Sequence, residues 1–133
     1  MFEVGTAAEF TAFHVMPDMP GPEGELHSHD YRLEVVVRRG DLDERGMVVD
    51  LDVLTGAVEK TVDSVRGQDL EIIRPPEAAA VTVEVLARWA HDEISGLIAT
   101  EGADELSVRV FENPTDFGGH TGPIDATGTN PTI

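Results

Sequence analysis

The chain has 133 residues, of which 41% are hydrophobic, and this apolar content is enough for one compact domain. It contains no cysteine, which excludes a disulfide framework, a thiolate metal site and a cysteine nucleophile. Its 26 acidic and 9 basic residues give a net charge of −17, which disfavours nucleic acids and anionic membranes as partners. Because it shows neither a secretory leader pattern nor a long apolar run, we expect a cytoplasmic protein without a membrane partner.

The first part of the chain predicts two strands joined by an irregular loop. Residues 2–15 predict a strand with imperfect alternation, and the proline- and glycine-rich residues 17–24 predict a loop. From residue 27 to residue 37, every second side chain is histidine, tyrosine or aliphatic, which predicts a strand with one polar end. A charged turn over 38–46 and a short returning strand over 47–50 would complete a hairpin.

Two helices are predicted in the middle of the chain. The first covers residues 51–65, where leucine and valine recur at helical spacing behind an N-cap of Asp50 or Asp52. The second covers residues 82–97 behind Thr82 as its N-cap, with one apolar stripe that faces the core. Together with the strands, these helices predict an α+β domain.

The last predicted strand carries a carboxylate in an unusual place. Leu106, Val108 and Val110 alternate as the buried face of a strand, and Glu112 continues their parity, so its carboxylate would emerge on the apolar face. That placement needs a physical reason. Because glycine, threonine and proline predominate afterwards, we expect a domain of residues 1–117 followed by a loop and mobile tail over 118–133.

Three histidines are the main candidates for chemistry. His27 and His29 lie on one side of a single strand, about 7 Å apart along the chain, so both imidazoles can reach one ion. His14, near the end of the preceding strand, is the natural third ligand. A three-histidine set leaves a fourth position open, as in catalytic zinc sites. By spacing alone, however, the pair is equally typical of surface or core histidines.

Five short motifs follow one another between residues 2 and 113. Two of them contain the histidines: F-T-A-F-H at residues 10–14 and L-H-S-H-D-Y at residues 26–31. The other three are G-M-V-V-D at 46–50, T-V-E-V-L-A at 82–87 and V-R-V-F-E at 108–112. In this order and spacing they resemble the family of 6-pyruvoyl tetrahydropterin synthase and 6-carboxytetrahydropterin synthase.

The resemblance implies a tunnelling fold, in which an antiparallel four-stranded sheet carries two helices on one face and forms a barrel in a homo-oligomer, either a trimer or a dimer of trimers. It implies Zn²⁺ as cofactor, held by His14, His27 and His29. It also implies a small pterin substrate anchored by Glu112, with Thr82 as a further substrate-binding residue. The implied reaction is a lyase- or aldolase-type cleavage of a C–C or C–O bond in the side chain of dihydroneopterin, its triphosphate or a related pterin.

Two features bear on the details of that reaction. Glu23 stands where many members have the catalytic cysteine, and it matches members that supply folate synthesis and use a glutamate in this loop. Glu23 is therefore the candidate general base, with Glu25 as the alternative. In addition, only Lys60 and eight arginines are available to hold a triphosphate, which favours a dephosphorylated or neutral pterin.

A second departure keeps other interpretations open. The family's Asp-His pair aligns with Arg66 and Gly67, so the usual proton relay is missing, and Asp69 or His91 would have to replace it. A catalytically altered module that binds zinc and a pterin is therefore the alternative to an enzyme. A cupin-type metal-binding barrel is a more distant alternative, because the spacing of the paired histidines nearly reproduces a cupin motif, whereas the predicted helices argue against an all-β chain.

Overall fold

We describe residues 1–124 from a computed structural model; residues 125–133, which belong to the predicted tail, lie outside the described part. Four strands form one antiparallel sheet in the order β1-β2-β3-β4. Two α-helices cover one face of this sheet, which confirms the predicted α+β class. The elements are β1 (Phe2–His14), β2 (His27–Arg39), α1 (Leu51–Asp63), α2 (Val83–Ile98), β3 (Glu105–Phe111) and β4 (Phe117–Pro123).

The two long strands pair with each other over their whole length. β1 and β2 are in register from Phe2 opposite Arg39 to His14 opposite His27. On the face that carries the helices, the two strands contribute buried aliphatic and aromatic side chains, whereas their other face is polar. The hairpin therefore joins β1 to β2, and not β2 to residues 47–50 as the sequence predicted.

The fourth strand lies in a different part of the chain from the one predicted. Residues 47–50 form turns and bends before α1, and they contribute to the core through Val48 and Val49 without joining the sheet. The fourth strand is β4, which pairs with β3 from Phe111 opposite Phe117 to Glu105 opposite Pro123. The prediction of a loop from residue 118 is therefore wrong for residues 118–123, and the ordered domain continues past residue 117.

Glycine in β4 has a packing reason that the sequence pattern concealed. A Cβ atom at position 118 would lie 2.7 Å from a methyl carbon of Val83 and 3.0 Å from the backbone nitrogen of Glu84. The absence of a side chain at Gly118 therefore allows the start of α2 to approach the sheet closely. Glycine lowers the strand propensity of this segment, and at position 118 it also lets α2 pack on the sheet.

The two helices begin where their capping residues predict. The Asp50 carboxylate accepts a hydrogen bond from the backbone N–H of Asp52 at 2.8 Å, and the Thr82 hydroxyl accepts one from the N–H of Val85 at 3.2 Å. α1 packs on β1, and α2 packs on β3 and β4. The side chains buried between the helices and the sheet form one hydrophobic core, and its largest members are Leu33, Leu54, Leu70, Leu86, Ile94, Ile98 and Leu106.

This architecture excludes one alternative, and its helices can be compared with the length of a membrane span. An open four-stranded sheet with two helices on one face is incompatible with a cupin barrel, so the cupin interpretation is wrong. Within residues 1–124, no helix combines the length and the apolar character needed to cross a bilayer.

Candidate metal centre

Four side chains converge where β1 ends and β2 begins. One ligand atom from each of His14, Glu23, His27 and His29 lies within 4.8 Å of the others. The Nε2 atoms of His27 and His29 are 3.1 Å apart, and the His14 ring centroid lies 4.4 Å from that of His27 and 5.0 Å from that of His29. Two nitrogens that bind one tetrahedral zinc lie about 3.3 Å apart, so this spacing suits a shared ion.

Two backbone carbonyls orient the histidine rings. Nδ1 of His14 lies 3.2 Å from the carbonyl oxygen of Val81, and Nδ1 of His27 lies 2.8 Å from that of Glu25. A carbonyl oxygen can only accept, so in the neutral form of each ring Nδ1 carries the proton and Nε2 has the free lone pair. Imidazole ligands of metals are commonly held by such contacts on the nitrogen that does not bind the ion.

His14 provides the clearest test of whether a metal fits. The residue is only 5% exposed, and its Nε2 atom is buried with no hydrogen-bond partner among the described residues. Burial lowers the pKa of His14, which keeps the imidazole neutral. An unpaired buried polar atom costs about 1–3 kcal/mol, and an ion at the cluster would supply the missing partner. Three imidazole nitrogens and one carboxylate are also donors that zinc accepts, so the residues present fit this metal.

Of the two loop acids, it is Glu23 whose carboxylate reaches the cluster. Its Oε2 atom lies 3.3 Å from Nε2 of His27, although the side chain is 53% exposed. The backbone holds this loop in place, because the N–H of Met16 donates to the carbonyl of Glu23 at 2.9 Å. The side chain of Glu25 is exposed, and this residue contacts His27 only through its backbone carbonyl.

A cavity of about 780 Å³ adjoins the cluster where β3 ends. β3 pairs with β2 only from Arg32 onward, so the first residues of β2 project past the end of β3. Glu112 follows the last residue of β3, is half-buried and lines this cavity together with His29. Its backbone N–H donates to the carbonyl of Asp116 at 3.2 Å, which closes the loop. The lining residues are Glu9, Ser28, His29, Asp30, Tyr31, Arg32, Glu34, Phe111, Glu112, Asn113 and Pro114.

Tyr31 is a member of this cavity that the sequence analysis did not select. Its side chain is only 2% exposed, and its ring stacks on that of Phe10 with the centroids 5.4 Å apart. Burial raises the pKa of Tyr31, and the negative charges of Glu112 and Glu23 raise it further. The raised pKa keeps the phenol protonated, and the ring centroid of Tyr31 lies 5.6 Å from that of His29. Tyr31 continues the parity of His27 and His29, so this placement could have been predicted.

Three other predicted residues lie outside the cluster. Thr82 uses its hydroxyl as the N-cap of α2 and is not among the residues that line the large cavity. Asp69 lies nearer, since it lines a smaller cavity of about 200 Å³ with His14. His91 is buried on α2 against His120 of β4, with their ring centroids 4.7 Å apart. Within residues 1–124, His91 contacts His120 and is not part of the metal cluster, so its role as a replacement for the missing relay stays a prediction.

The segment that departs from the family's Asp-His pair contacts the outer edge of β1. The N–H of Gly67 donates to the carbonyl of Thr11 at 2.7 Å, and the Arg66 guanidinium donates to the carbonyl of Glu9 at 3.2 Å. Gly67 adopts a φ of +71°, a conformation that suits glycine. In this chain the two residues therefore cover part of a strand edge.

Comparisons with known proteins identify the family. The family described as 6-pyruvoyl tetrahydropterin synthase matches residues 3–122. A 6-carboxy-5,6,7,8-tetrahydropterin synthase from Bacillus subtilis (strain 168) is 27% identical over 120 residues, which cover 87% of this chain and 82% of that protein.

Solved structures show the same fold. The 6-pyruvoyl tetrahydropterin synthase of Caenorhabditis elegans superposes with a TM-score of 0.70 at 19% identity, over 91% of this chain and 95% of that one. That of Plasmodium vivax gives 0.71 at 14% identity, over 93% of this chain and 100% of that one. In two further Plasmodium vivax structures, a glutamate described as a catalytic residue is replaced by alanine or cysteine. Because the family match spans nearly the whole described chain, this protein belongs to the 6-pyruvoyl tetrahydropterin synthase family.

Proposed function

We propose that this protein is a zinc-dependent, cytoplasmic lyase that cleaves a C–C or C–O bond in the side chain of dihydroneopterin, its triphosphate or a related pterin. The observation that carries the proposal is the convergence of three histidines and Glu23 beside a cavity that Glu112 lines. Membership of a family of pterin enzymes supports the substrate class.

The metal would be held by Nε2 of His14, His27 and His29. When bound, zinc would supply a Lewis acid that polarises a side-chain oxygen of the pterin. The carbonyls of Val81 and Glu25 keep two of the three rings in the required tautomer and orientation. Because the ligands come from two strands in a tight register, the site is preorganised by the sheet.

Glu23 would act as the general base. Its carboxylate is partly exposed and already lies within the cluster, so it can meet a substrate hydroxyl that is held there. In a C–C cleavage, the hydroxyl gives its proton to Glu23, the C–C bond breaks as a carbonyl forms, and the proton returns to the carbon that remains on the ring. The catalytic glutamate named for the Plasmodium vivax enzyme supports this role for a glutamate.

Glu112 would anchor the pterin ring. A carboxylate can accept two parallel hydrogen bonds from the guanidine-like edge of a pterin. The half-buried position of Glu112 strengthens such bonds, and the hydrogen-bonded loop of residues 112–116 restrains it. Thr82 remains a predicted substrate-binding residue.

We also infer assembly into a homo-oligomer, either a trimer or a dimer of trimers. The segment after α1 covers the outer edge of β1 at Thr11 and Phe13, but the described residues provide no such cover for the first half of this strand. β4 is the opposite edge of the sheet. Pairing between β4 of one copy and the uncovered half of β1 in the next would close both edges. Light scattering on the purified protein tests the stoichiometry.

The activity test is to incubate the zinc-loaded protein with dihydroneopterin and with its triphosphate, and to identify the products by mass spectrometry. Glu23→Gln should reduce turnover by about 10²–10⁴-fold while zinc and pterin still bind. Glu25→Gln tests the alternative base, and Asp18→Asn is a control in the same loop. Pterin binding without any turnover would favour the non-enzymatic binding module, whereas failure to bind either pterin would overturn the proposal.

A further inference from the structure

The cavity beside the metal cluster carries an excess of negative charge. Four carboxylates line it, from Glu9, Asp30, Glu34 and Glu112, and the one basic residue among the lining side chains is Arg32. The four carboxylates and the one guanidinium leave three net negative charges along the cavity. Glu112 has a proposed role in holding the ring, but the other three carboxylates have none in the proposed reaction.

Arg32 is not free to receive an anion. Its Nε atom lies 3.0 Å from a carboxylate oxygen of Glu34, and its Nη1 atom lies 3.4 Å from one of Glu9. Two carboxylates therefore compensate the single guanidinium. Asp30 accepts a hydrogen bond from the Thr11 hydroxyl at 2.7 Å and has no cationic partner within 4 Å among residues 1–124. A phosphate group that entered here would have to displace a carboxylate from Arg32 or lie beside Asp30.

The rest of the polar sheet face provides little compensation. Arg38 lies 3.1 Å from carboxylate oxygens of both Glu3 and Glu105, and Arg109 lies over the ring of Phe117 at 5.0 Å. Six of the eight arginines pair with carboxylates within residues 1–124. A second copy of this chain would bring the same excess of 26 acidic over 9 basic residues.

We propose that this cavity selects a pterin with an unphosphorylated, hydroxylated side chain, and that Asp30 and Glu34 are the specificity residues that exclude the triphosphate. The inference rests on the proposed function, which by itself allows either substrate. Its physical basis is like-charge repulsion, since each pair of unit charges at about 4 Å contributes about 1 kcal/mol even in water and more in a partly enclosed cavity.

The test is a pair of binding titrations on the zinc-loaded protein, one with 7,8-dihydroneopterin and one with its triphosphate. Ligand fluorescence or calorimetry reports Kd without requiring turnover. We expect dihydroneopterin to bind at least about tenfold more tightly at low ionic strength. The difference between the two Kd values should become smaller as NaCl rises toward about 1 M, because salt screens the repulsion between the carboxylates and the triphosphate.

A double variant identifies the residues responsible. Asp30→Asn/Glu34→Gln removes two charges from the cavity and releases Arg32, so triphosphate binding should tighten by about tenfold or more. Binding of dihydroneopterin should change by less than about threefold. Glu44→Gln/Glu93→Gln is the matched control, because it changes the net charge equally at exposed positions away from the cavity. It should leave the ratio of the two Kd values unchanged.

The outcomes separate the inference from the function on which it rests. If the triphosphate binds the parent protein as tightly as dihydroneopterin, or if both double variants shift the ratio equally, the inference is overturned and the pterin function stands. If neither pterin binds, the proposed function fails and the inference fails with it. The salt dependence of the parent protein provides a readout even if the cavity variant does not fold.

Discussion

His14 allows the sharpest test of the metal centre, because its substitution should have opposite effects in the presence and absence of zinc. In metal-free protein, His14→Leu removes a buried nitrogen that lacks a partner, worth about 1–3 kcal/mol, but it also leaves the Val81 carbonyl without its donor, at a similar cost. The two contributions nearly cancel. We therefore expect the metal-free variant to unfold within a few degrees of the parent protein.

With zinc present, the two proteins should diverge. An ion at about 100 times its Kd stabilises the folded state by about 2.7 kcal/mol, and for a domain of this size that corresponds to a rise in Tm of roughly 10 °C. His14→Leu loses one of three nitrogens and should keep less than about a third of that shift. Calorimetry with zinc and with excess chelator provides the measurement, and His120→Gln is the control that removes a histidine elsewhere. A full zinc shift in His14→Leu, or none in the parent protein, would show that the cluster is not the metal site.

Three further predictions follow from charge and burial. Glu112→Gln should weaken pterin binding by about 10- to 100-fold, since it removes a charged hydrogen-bond acceptor, and fluorescence titration against Glu44→Gln checks this. Burial and the neighbouring His91 lower the pKa of His120, whereas Asp92 raises it and Arg88 lowers it slightly. The unfolded chain therefore binds a proton more readily, so stability should fall as the pH drops below about 6.5, and urea titrations of His120→Gln should show a shallower fall. Because the net charge is −17, Tm should rise as NaCl increases from about 0.05 M to about 1 M, and a flat response would contradict this electrostatic account.

Much of the fold could be predicted because its information is local. Both helices begin at side chains that cap them, and each carries an apolar stripe at helical spacing. β2 and β3 alternate cleanly between buried and exposed residues, and their predicted positions agree with the structure to within about two residues. In these segments, periodicity and capping indicate the same element, so no long-range information was needed.

β4 could not be predicted, because its strand character depends on its neighbours. The segment contains three glycines, and one apolar side chain, Phe117, does not make an alternating pattern. It becomes a strand because β3 offers a free edge and because Gly118 lets α2 approach closely. Residues 47–50 are the opposite case, because this locally strand-like run forms turns and bends before α1 and buries Val48 and Val49 without pairing with a strand.

The candidate metal ligands could be proposed from side-chain parity, but the backbone contacts that orient their rings could not. His27 and His29 share a face of β2 by spacing alone, and the antiparallel hairpin brings His14 opposite His27. The carbonyls of Val81 and Glu25 that orient two of these rings belong to the backbone, and backbone groups leave no mark in a sequence. The charge of the cavity could not be predicted from the sequence either, because it depends on which carboxylates pair with Arg32 in the folded chain.

The register of β1 and β2 connects the stability of the fold to the chemistry of the site. A slip of one residue would turn His14 to the polar face of the sheet, together with Phe10 and Ala12, which the core buries. The hydrophobic side chains that specify the register therefore also specify the geometry of the histidine cluster. Two hydrogen bonds, from the N–H of Gly67 to the carbonyl of Thr11 and from the N–H of Phe13 to the carbonyl of Gln68, add a second constraint at the same end of β1. The segment after α1 thus contributes to holding the strand that carries His14.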